Sequence, residues 1–260
     1  MFISDQRIIV GTKTLFARRW QPISSSSNAP VILLFHESLG CVELWRSFPK
    51  KLAIATGLSV IAYDRLGFGR SDAHESKLPL DFVADEAKRH IPLIQSHIGF
   101  SNFIACGHSI GGAMALEAAA HFRDRCDAVI TLGAQAFVEE QTIVGLKLAK
   151  KTFSDYSNIS RLEKYHGDKA EWVVNAWLDT WLDPAFAEWT LDKAISLACC
   201  PVLAIHGERD EYGSCEHPRR IAGHKGELAL LPNVGHVPHR ENGEVVIELV
   251  TRFLDRYSNV

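Results

Sequence analysis

The sequence has little net charge, no long apolar run and no signal segment. Its formal net charge is -3 over 260 residues, so no basic surface is indicated and we expect no nucleic-acid partner. No apolar stretch reaches the roughly 18 residues that a membrane helix requires. The first residues lack the basic and apolar regions of a secretory signal, so we expect neither secretion nor a membrane partner.

Cysteine and histidine patterns exclude further classes. None of the six cysteines forms a C-x-x-C pair, and six in a chain of this length do not make a disulfide framework. We interpret them as reduced thiols of a cytoplasmic protein. The later histidines lack zinc-ligand spacing on one helix, so we expect no metal and no other cofactor; they are His206, His217, His224, His236 and His239. The sequence leaves a homodimer open.

Apolar runs rich in β-branched residues alternate with helical patterns. The predicted strands are Val31–Phe35, Ser59–Tyr63, Asn102–Cys106, Ala128–Leu132, Pro201–Ile205 and Leu228–Leu231. The predicted helices are Asp81–His97, Gly111–Phe122 and Glu241–Phe253. Gly11–Gln21 is predicted to form an antiparallel edge hairpin with the first residues. This alternation predicts an α/β fold, with a mostly parallel, twisted sheet flanked by helices.

One segment interrupts the alternation. Residues 135–197 show helical patterns without a convincing strand and hold four of the six tryptophans. We predict a helical cap there, inserted between core segments 1–134 and 198–260. Trp177 and Trp181, together with Leu39, are candidates for an apolar substrate pocket. Because Trp177 and Trp181 lie four residues apart, they could equally pin cap helices together.

The strongest motif is G-x-S-x-G at Gly107–Gly111, between a predicted strand and an Ala-rich helix. A serine in such a sharp turn takes a strained backbone conformation that exposes its hydroxyl above the sheet edge. The helix N-terminus beneath it favours negative charge. A glycine-rich turn with an incidental serine is the alternative, but the strand before and the helix after favour Ser109 as a nucleophile.

A serine hydroxyl needs an adjacent base, and in this architecture an acid and then a histidine follow in the chain. Asp210 follows a predicted strand, at the sheet edge where such folds place their sites; Glu208 and Glu211 are its rivals. His236 follows the last predicted strand, with His239 as its rival. We predict that His236 accepts the serine proton and that Asp210 orients His236.

Acyl transfer also needs two donors aimed at the developing oxyanion. The backbone N–H of Ile110, directly after the nucleophile, is the first candidate. The second lies in the loop after Val31–Phe35, where we assign the N–H of Ser38, with Leu39 as the alternative.

With these motifs in place, the sequence resembles the α/β-hydrolase superfamily over nearly its whole length. The supporting motifs are F-H-E-S-L-G at 35–40, Y-D-R-L-G-F-G-R-S-D at 63–72, G-H-S-I-G-G at 107–112, G-E-R-D at 207–210 and G-H-V-P-H at 235–239. The S-L-G loop is similar to that of enol-lactone hydrolases. The size and the helical insertion are similar to those of carbon–carbon bond hydrolases of aromatic degradation. The resemblance implies a serine hydrolase with a small-molecule acyl substrate, such as an ester or lactone.

Glu37 departs from the family pattern, because many relatives carry glycine after the histidine of this loop. Its side chain could bring charge to the pocket, but we favour a position in solvent or a pair with Arg65. A serine nucleophile, rather than an aspartate, argues against dehalogenase or epoxide hydrolase chemistry. A non-hydrolytic ligand-binding protein or lyase of the same fold is the remaining alternative.

Overall fold

The computed structural model describes residues 1–26 and 28–257, and eight strands of these residues form one sheet. The strands are β1 (Phe2–Val10), β2 (Lys13–Gln21), β3 (Val31–Phe35), β4 (Val60–Tyr63), β5 (Phe103–His108), β6 (Cys126–Leu132), β7 (Val202–Gly207) and β8 (Glu227–Leu231). Their order is β1-β2-β4-β3-β5-β6-β7-β8. The hairpin β1–β2 is antiparallel and joins β4 antiparallel, while all later pairs are parallel. The predicted fold class is confirmed.

Helices cover both faces of the sheet, as the sequence of the central strands requires. In β3, Leu33 and Phe35 pack into the core on one face, while Ile32 and Leu34 pack on the other. Because successive strand side chains point to opposite faces, a strand that is apolar throughout must be covered twice.

The helices are α1 (Phe48–Thr56), α2 (Phe82–Ile98), α3 (Ile110–His121), α4 (Glu140–Phe153), α5 (Tyr156–His166), α6 (Ala170–Trp181), α7 (Asp192–Leu197), α8 (Glu216–Ala222), α9 (Pro238–Glu241) and α10 (Gly243–Tyr257). Side chains of α2 and α3 belong to one core, and those of α1 and α10 to the other. Of the helices in the described residues, none is long and apolar enough to cross a bilayer.

The predicted element boundaries differ from the observed ones mainly near the functional edge of the sheet. The strand predicted to end at Cys106 continues as β5 to His108. The helix predicted to begin at Glu241 begins at Gly243, after the short helix α9. The sequence-based prediction missed α1 and α8, whose apolar residues are interrupted by charged and proline residues.

Four helices, α4 to α7, lie between β6 and β7 in the chain. They are joined to the core by specific polar contacts. His166 at the end of α5 accepts a hydrogen bond from Gly69 N at 2.9 Å and lies 3.1 Å from Leu39 O. Within the inserted segment itself, Phe137 and Thr190 form an isolated antiparallel bridge that joins its two ends. The predicted segment 198–260 ends with residues 258–260, which lie outside the described part of the chain.

Candidate active site

Ser109 stands at the turn between β5 and α3 in a strained backbone conformation. Its φ is 55° and its ψ is -126°, a region that side-chain-bearing residues seldom adopt. The residue is 7% exposed, and its backbone N–H donates to Leu132 O at 2.9 Å. The surrounding structure therefore holds the serine in the geometry expected of a nucleophile turn.

Glycines on either side of Ser109 allow the turn to close. A Cβ at Gly107 would lie 2.0 Å from Gly111 O, and a Cβ at Gly111 would lie 2.1 Å from Phe35 O. Both of these neighbours are backbone atoms, which cannot move aside as a flexible side chain can. The G-x-S-x-G spacing thus reflects close packing of α3 against β5 and β3.

The hydroxyl of Ser109 donates a hydrogen bond to Gln135 Oε1 at 3.2 Å. Gln135 is buried and follows β6, so it too lies beyond the carboxyl end of a central strand. Sequence reasoning did not identify it as a site residue. Its place three residues after a predicted parallel strand was the available signal, because such positions line the functional edge of an α/β sheet.

Asp210 and His236 form a buried pair. His236 Nδ1 lies 2.8 Å from Asp210 Oδ2, while Asp210 Oδ1 accepts hydrogen bonds from the N–H groups of Tyr212 (2.8 Å) and Gly213 (3.1 Å). Burial raises the pKa of Asp210, but the hydrogen bond to His236 and nearby positive charge outweigh burial and hold that pKa below its ordinary value. An ionised Asp210 favours a proton on Nδ1, which leaves Nε2 as the basic atom.

The rival residues lie elsewhere. Glu208 and Glu211 are exposed, whereas Asp210 is buried. The His239 ring is buried against Trp45 and His108, with centroid distances of 4.8 Å to each. In this position His239 packs beneath the site and does not share the carboxylate of Asp210.

Close backbone contacts bring the His236 loop to the sheet edge. His108 Nε2 lies 2.8 Å from His236 O, so the residue before Ser109 is tied to the loop. A Cβ at Gly133 would lie 2.7 Å from the same carbonyl oxygen, and a Cβ at Gly207 would lie 2.2 Å from Val234 O. Side chains at either glycine would push the loop away.

The two predicted oxyanion donors lie at the start of α3 and in the loop after β3. Ile110 is the first residue of α3, so its N–H has no acceptor within the helix. Ser38 and Leu39 occupy a tight turn that is closed by Gly40 N donating to Glu37 O at 3.0 Å. Both Ser38 and Leu39 line the pocket that contains Ser109. The assignment of Ser38 over Leu39 stays a prediction.

Glu37 does not lie where we expected. Its backbone carbonyl accepts a hydrogen bond from Arg65 Nη2 at 3.0 Å, but its carboxylate pairs with another residue. Oε2 lies 3.7 Å from His108 Nδ1, and the side chain, 22% exposed, lines the pocket. Arg65 is itself buried against His36 and the ring of Phe68, so it cannot reach outward for a carboxylate. The expectation of a solvent position or an Arg65 ion pair was therefore wrong.

The pocket above Ser109 has a volume of about 140 Å³ and walls from both core and cap. The three residues predicted for substrate binding, Leu39, Trp177 and Trp181, all line it. Its lining is Glu37, Ser38, Leu39, His108, Ser109, Gln135, Thr142, Leu146, Trp177, Trp181, Tyr212, His236 and Val237. Ser109 and His236 thus open onto one cavity with aromatic walls.

Among the described residues, no group of three His, Cys, Asp or Glu side chains is placed to hold a metal ion.

Comparisons with known proteins agree with this architecture. Residues 30–157 match the family of the alpha/beta hydrolase fold. The chain is 28% identical over 206 residues to serine hydrolase BPHL of Mus musculus, which covers 75% of this chain and 69% of the relative. The solved 2-hydroxy-6-oxo-6-phenylhexa-2,4-dienoate hydrolase from Rhodococcus sp. strain RHA1 superposes with a TM-score of 0.77 at 18% identity, covering 98% of this chain and 99% of that one. The enol-lactonase from Burkholderia xenovorans LB400 gives 0.72 at 18% identity, covering 96% and 100%.

Proposed function

Since this chain belongs to the α/β-hydrolase superfamily, we propose that it is a serine hydrolase that cleaves an ester, lactone or related carbonyl substrate through an acyl-serine intermediate. One observation supports this most directly. His236 is bonded to a buried carboxylate on one side and opens, together with Ser109, onto one pocket on the other. A base oriented by an acid and sharing a pocket with a strained serine is the arrangement that nucleophilic acyl transfer uses.

In the proposed reaction, Ser109 Oγ attacks the substrate carbonyl carbon while its proton passes to His236 Nε2. The backbone N–H groups of Ile110 and Ser38 stabilise the oxyanion of the tetrahedral intermediate. When the intermediate collapses, the bond to the leaving oxygen breaks and His236 returns the proton to that oxygen. Water then attacks the acyl-serine by the same path in reverse, and the acid product and free serine result.

Gln135 has a part in the first step. Because the hydroxyl of Ser109 donates to Gln135 Oε1 before reaction, it has to turn away from Gln135 to give its proton to His236.

We propose that residues 135–197 act as a lid over this chemistry, since α4 and α6 supply Leu146, Trp177 and Trp181 to the pocket wall.

Labelling with a fluorophosphonate probe and hydrolysis of 4-nitrophenyl acetate test the proposal. We expect the wild type to be labelled and active, and Ser109→Ala to lose both. Asp210→Asn should lower kcat by about 10³- to 10⁴-fold, because the histidine would lose its oriented tautomer. Glu208→Gln is the matched control, since Glu208 is exposed and lies two residues away in the chain. A wild type that is neither labelled nor active would favour a ligand-binding protein or lyase instead.

The carbon–carbon bond hydrolase alternative has less support from the pocket. The Rhodococcus enzyme is named for a dienoate, which is an anion. The described residues that line the pocket above Ser109 include no lysine or arginine to pair with such a group, but they include the carboxylate of Glu37. An ester or lactone without a negative charge fits these walls better.

A further inference from the structure

The pocket above Ser109 combines one carboxylate with three large aromatic side chains. Trp177 and Tyr212 meet edge to face with ring centroids 6.0 Å apart, and Trp181 completes the aromatic wall. Among the described residues of the lining, Glu37 contributes the only Asp, Glu, Lys or Arg side chain. Behind the wall lies a second carboxylate, that of Asp210, already bonded to His236. The permanently charged side chain of this lining is therefore negative, while Arg65 donates to the backbone carbonyl oxygen of Glu37 at 3.0 Å and His108 lies 3.7 Å from the Glu37 carboxylate.

The carboxylate of Glu37 is held in place by its surroundings. A Cβ at Gly40 would lie 2.1 Å from Glu37 Oε2, so the side chain folds tightly over its own turn. From there Oε2 faces His108 Nδ1 at 3.7 Å, too far for a strong hydrogen bond. Burial raises the pKa of Glu37, yet the interaction with His108 outweighs burial and the net pKa lies well below its ordinary value. The group is therefore a carboxylate anion at neutral pH.

A carboxylate beside tryptophan and tyrosine faces is the combination that binds organic cations. Aromatic rings attract a positive charge through their negative faces, and a carboxylate in a partly dry pocket adds a Coulombic attraction. An anion in the same place would lose hydration and meet like charge. We propose that Glu37 and the aromatic residues of the pocket lining select esters that carry a quaternary or protonated amine and reject esters that carry a carboxylate. This proposal rests on the proposed ester hydrolysis.

Matched esters that differ only in charge test this selection. Butyrylcholine is compared with 3,3-dimethylbutyl butyrate, in which carbon replaces the charged nitrogen on the alcohol side. The 4-nitrophenyl ester of 4-(trimethylammonio)butanoate is compared with those of 5,5-dimethylhexanoate and of glutarate, which place no charge and a negative charge on the acyl side. We expect kcat/KM to be roughly tenfold higher for the cationic ester than for its neutral partner in at least one pair, and lowest for the glutarate ester.

Two variants assign the selection to its residue. Glu37→Gln should lower the ratio of cationic to neutral kcat/KM, because the amide keeps the shape and loses the charge while the aromatic residues remain. Glu211→Gln removes an equal charge from an exposed residue outside the pocket lining and should retain the wild-type ratio. The proposal is overturned if no pair shows a preference for the cation, or if the preference is undiminished in Glu37→Gln.

Binding separates this inference from the hydrolysis on which it rests. If no ester is cleaved, the proposed function fails. The affinity for cationic and neutral esters can still be measured on the Ser109→Ala protein by quenching of tryptophan fluorescence. Trp177 and Trp181 line the pocket, so a ligand there changes their emission. Tighter binding of butyrylcholine than of 3,3-dimethylbutyl butyrate would support the cation site even without catalysis. Equal affinities would overturn it.

Discussion

His108 Nε2 lies 2.8 Å from the backbone carbonyl oxygen of His236, so the residue that precedes the proposed nucleophile holds the loop of the proposed base. The two rings are also close, with centroids 5.1 Å apart. This donor thereby links the end of β5 to the loop after β8. We expect the relative position of Ser109 and His236 to depend on this link, although His108 takes no part in the proposed proton transfer.

Replacing His108 tests that link. His108→Phe keeps a ring but removes the donor, so we expect kcat for 4-nitrophenyl acetate to fall by about 10- to 100-fold, because small misplacements of a catalytic group are costly. His108→Gln retains a donor and should keep more of the activity. Thermal unfolding of both variants separates loss of position from loss of fold. An unchanged kcat in a folded His108→Phe protein would contradict the link.

The contact between α3 and β3 predicts that Gly111 tolerates no side chain. A Cβ there would lie 2.1 Å from Phe35 O, which is backbone of a central strand. We expect Gly111→Ala to lower the free energy of unfolding by about 3 kcal/mol or more, because the helix or the strand has to shift. Urea unfolding measures the change. Gly243→Ala is the control, since a Cβ there has open space. Similar stabilities for the two variants would contradict the packing described above.

Because His166 is buried, we expect the free energy of unfolding to depend on pH. Burial lowers the pKa of His166 to about 4, although the contact with Leu39 O at 3.1 Å raises it. The neutral ring accepts a hydrogen bond from Gly69 N at 2.9 Å. Between pH 4 and the ordinary value of 6.5, the unfolded chain binds a proton that the folded protein does not. The contribution of His166 to stability is therefore complete above that range and is lost as the pH falls through it.

The effect can be isolated by substitution. The difference between the folded and unfolded pKa values of His166 limits its contribution to the free energy of unfolding to about 3 kcal/mol. His166→Gln removes the titrating group, so its free energy of unfolding should rise less steeply between about pH 4 and pH 6.5 than that of the wild type. Urea unfolding at several pH values gives both slopes. Equal slopes would show that protonation of His166 does not weaken the contact of α5 with the core.

We expect alanine substitutions of the cap tryptophans to have two different effects, depending on whether the tryptophan lines the pocket. Trp177 and Trp181 line the pocket, so replacing either with Ala should enlarge it and shift the preference among short, long and aromatic esters. Trp172 lies outside that lining and stacks on His74, with centroids 5.3 Å apart. Trp172→Ala should reduce stability while leaving the preference unchanged. A panel of 4-nitrophenyl esters measures this, and an unaltered preference in the Trp177 and Trp181 variants would contradict their place at the substrate.

Local sequence patterns predicted much of the core. The run Val31–Phe35 forms β3 with the predicted boundaries, because a short, fully apolar run between polar turns has few alternatives in a covered sheet. The glycines around Ser109 indicated the sharp turn, since their spacing is a direct consequence of steric limits on the backbone. The position of Asp210 after a strand placed it at the functional edge for the same general reason.

The sequence by itself determined the order of the candidate catalytic residues along the chain: a serine in a sharp turn, then an acid after β7, then a histidine after β8. Only the tertiary structure decided that Gln135 accepts the serine hydrogen bond and that the carboxylate of Glu37 faces His108 rather than Arg65. These contacts join loops that are remote in the chain, and their directions depend on how each loop leaves its strand and which space its neighbours leave open. Short-range patterns carry no record of that space, because it is set by packing of the whole molecule.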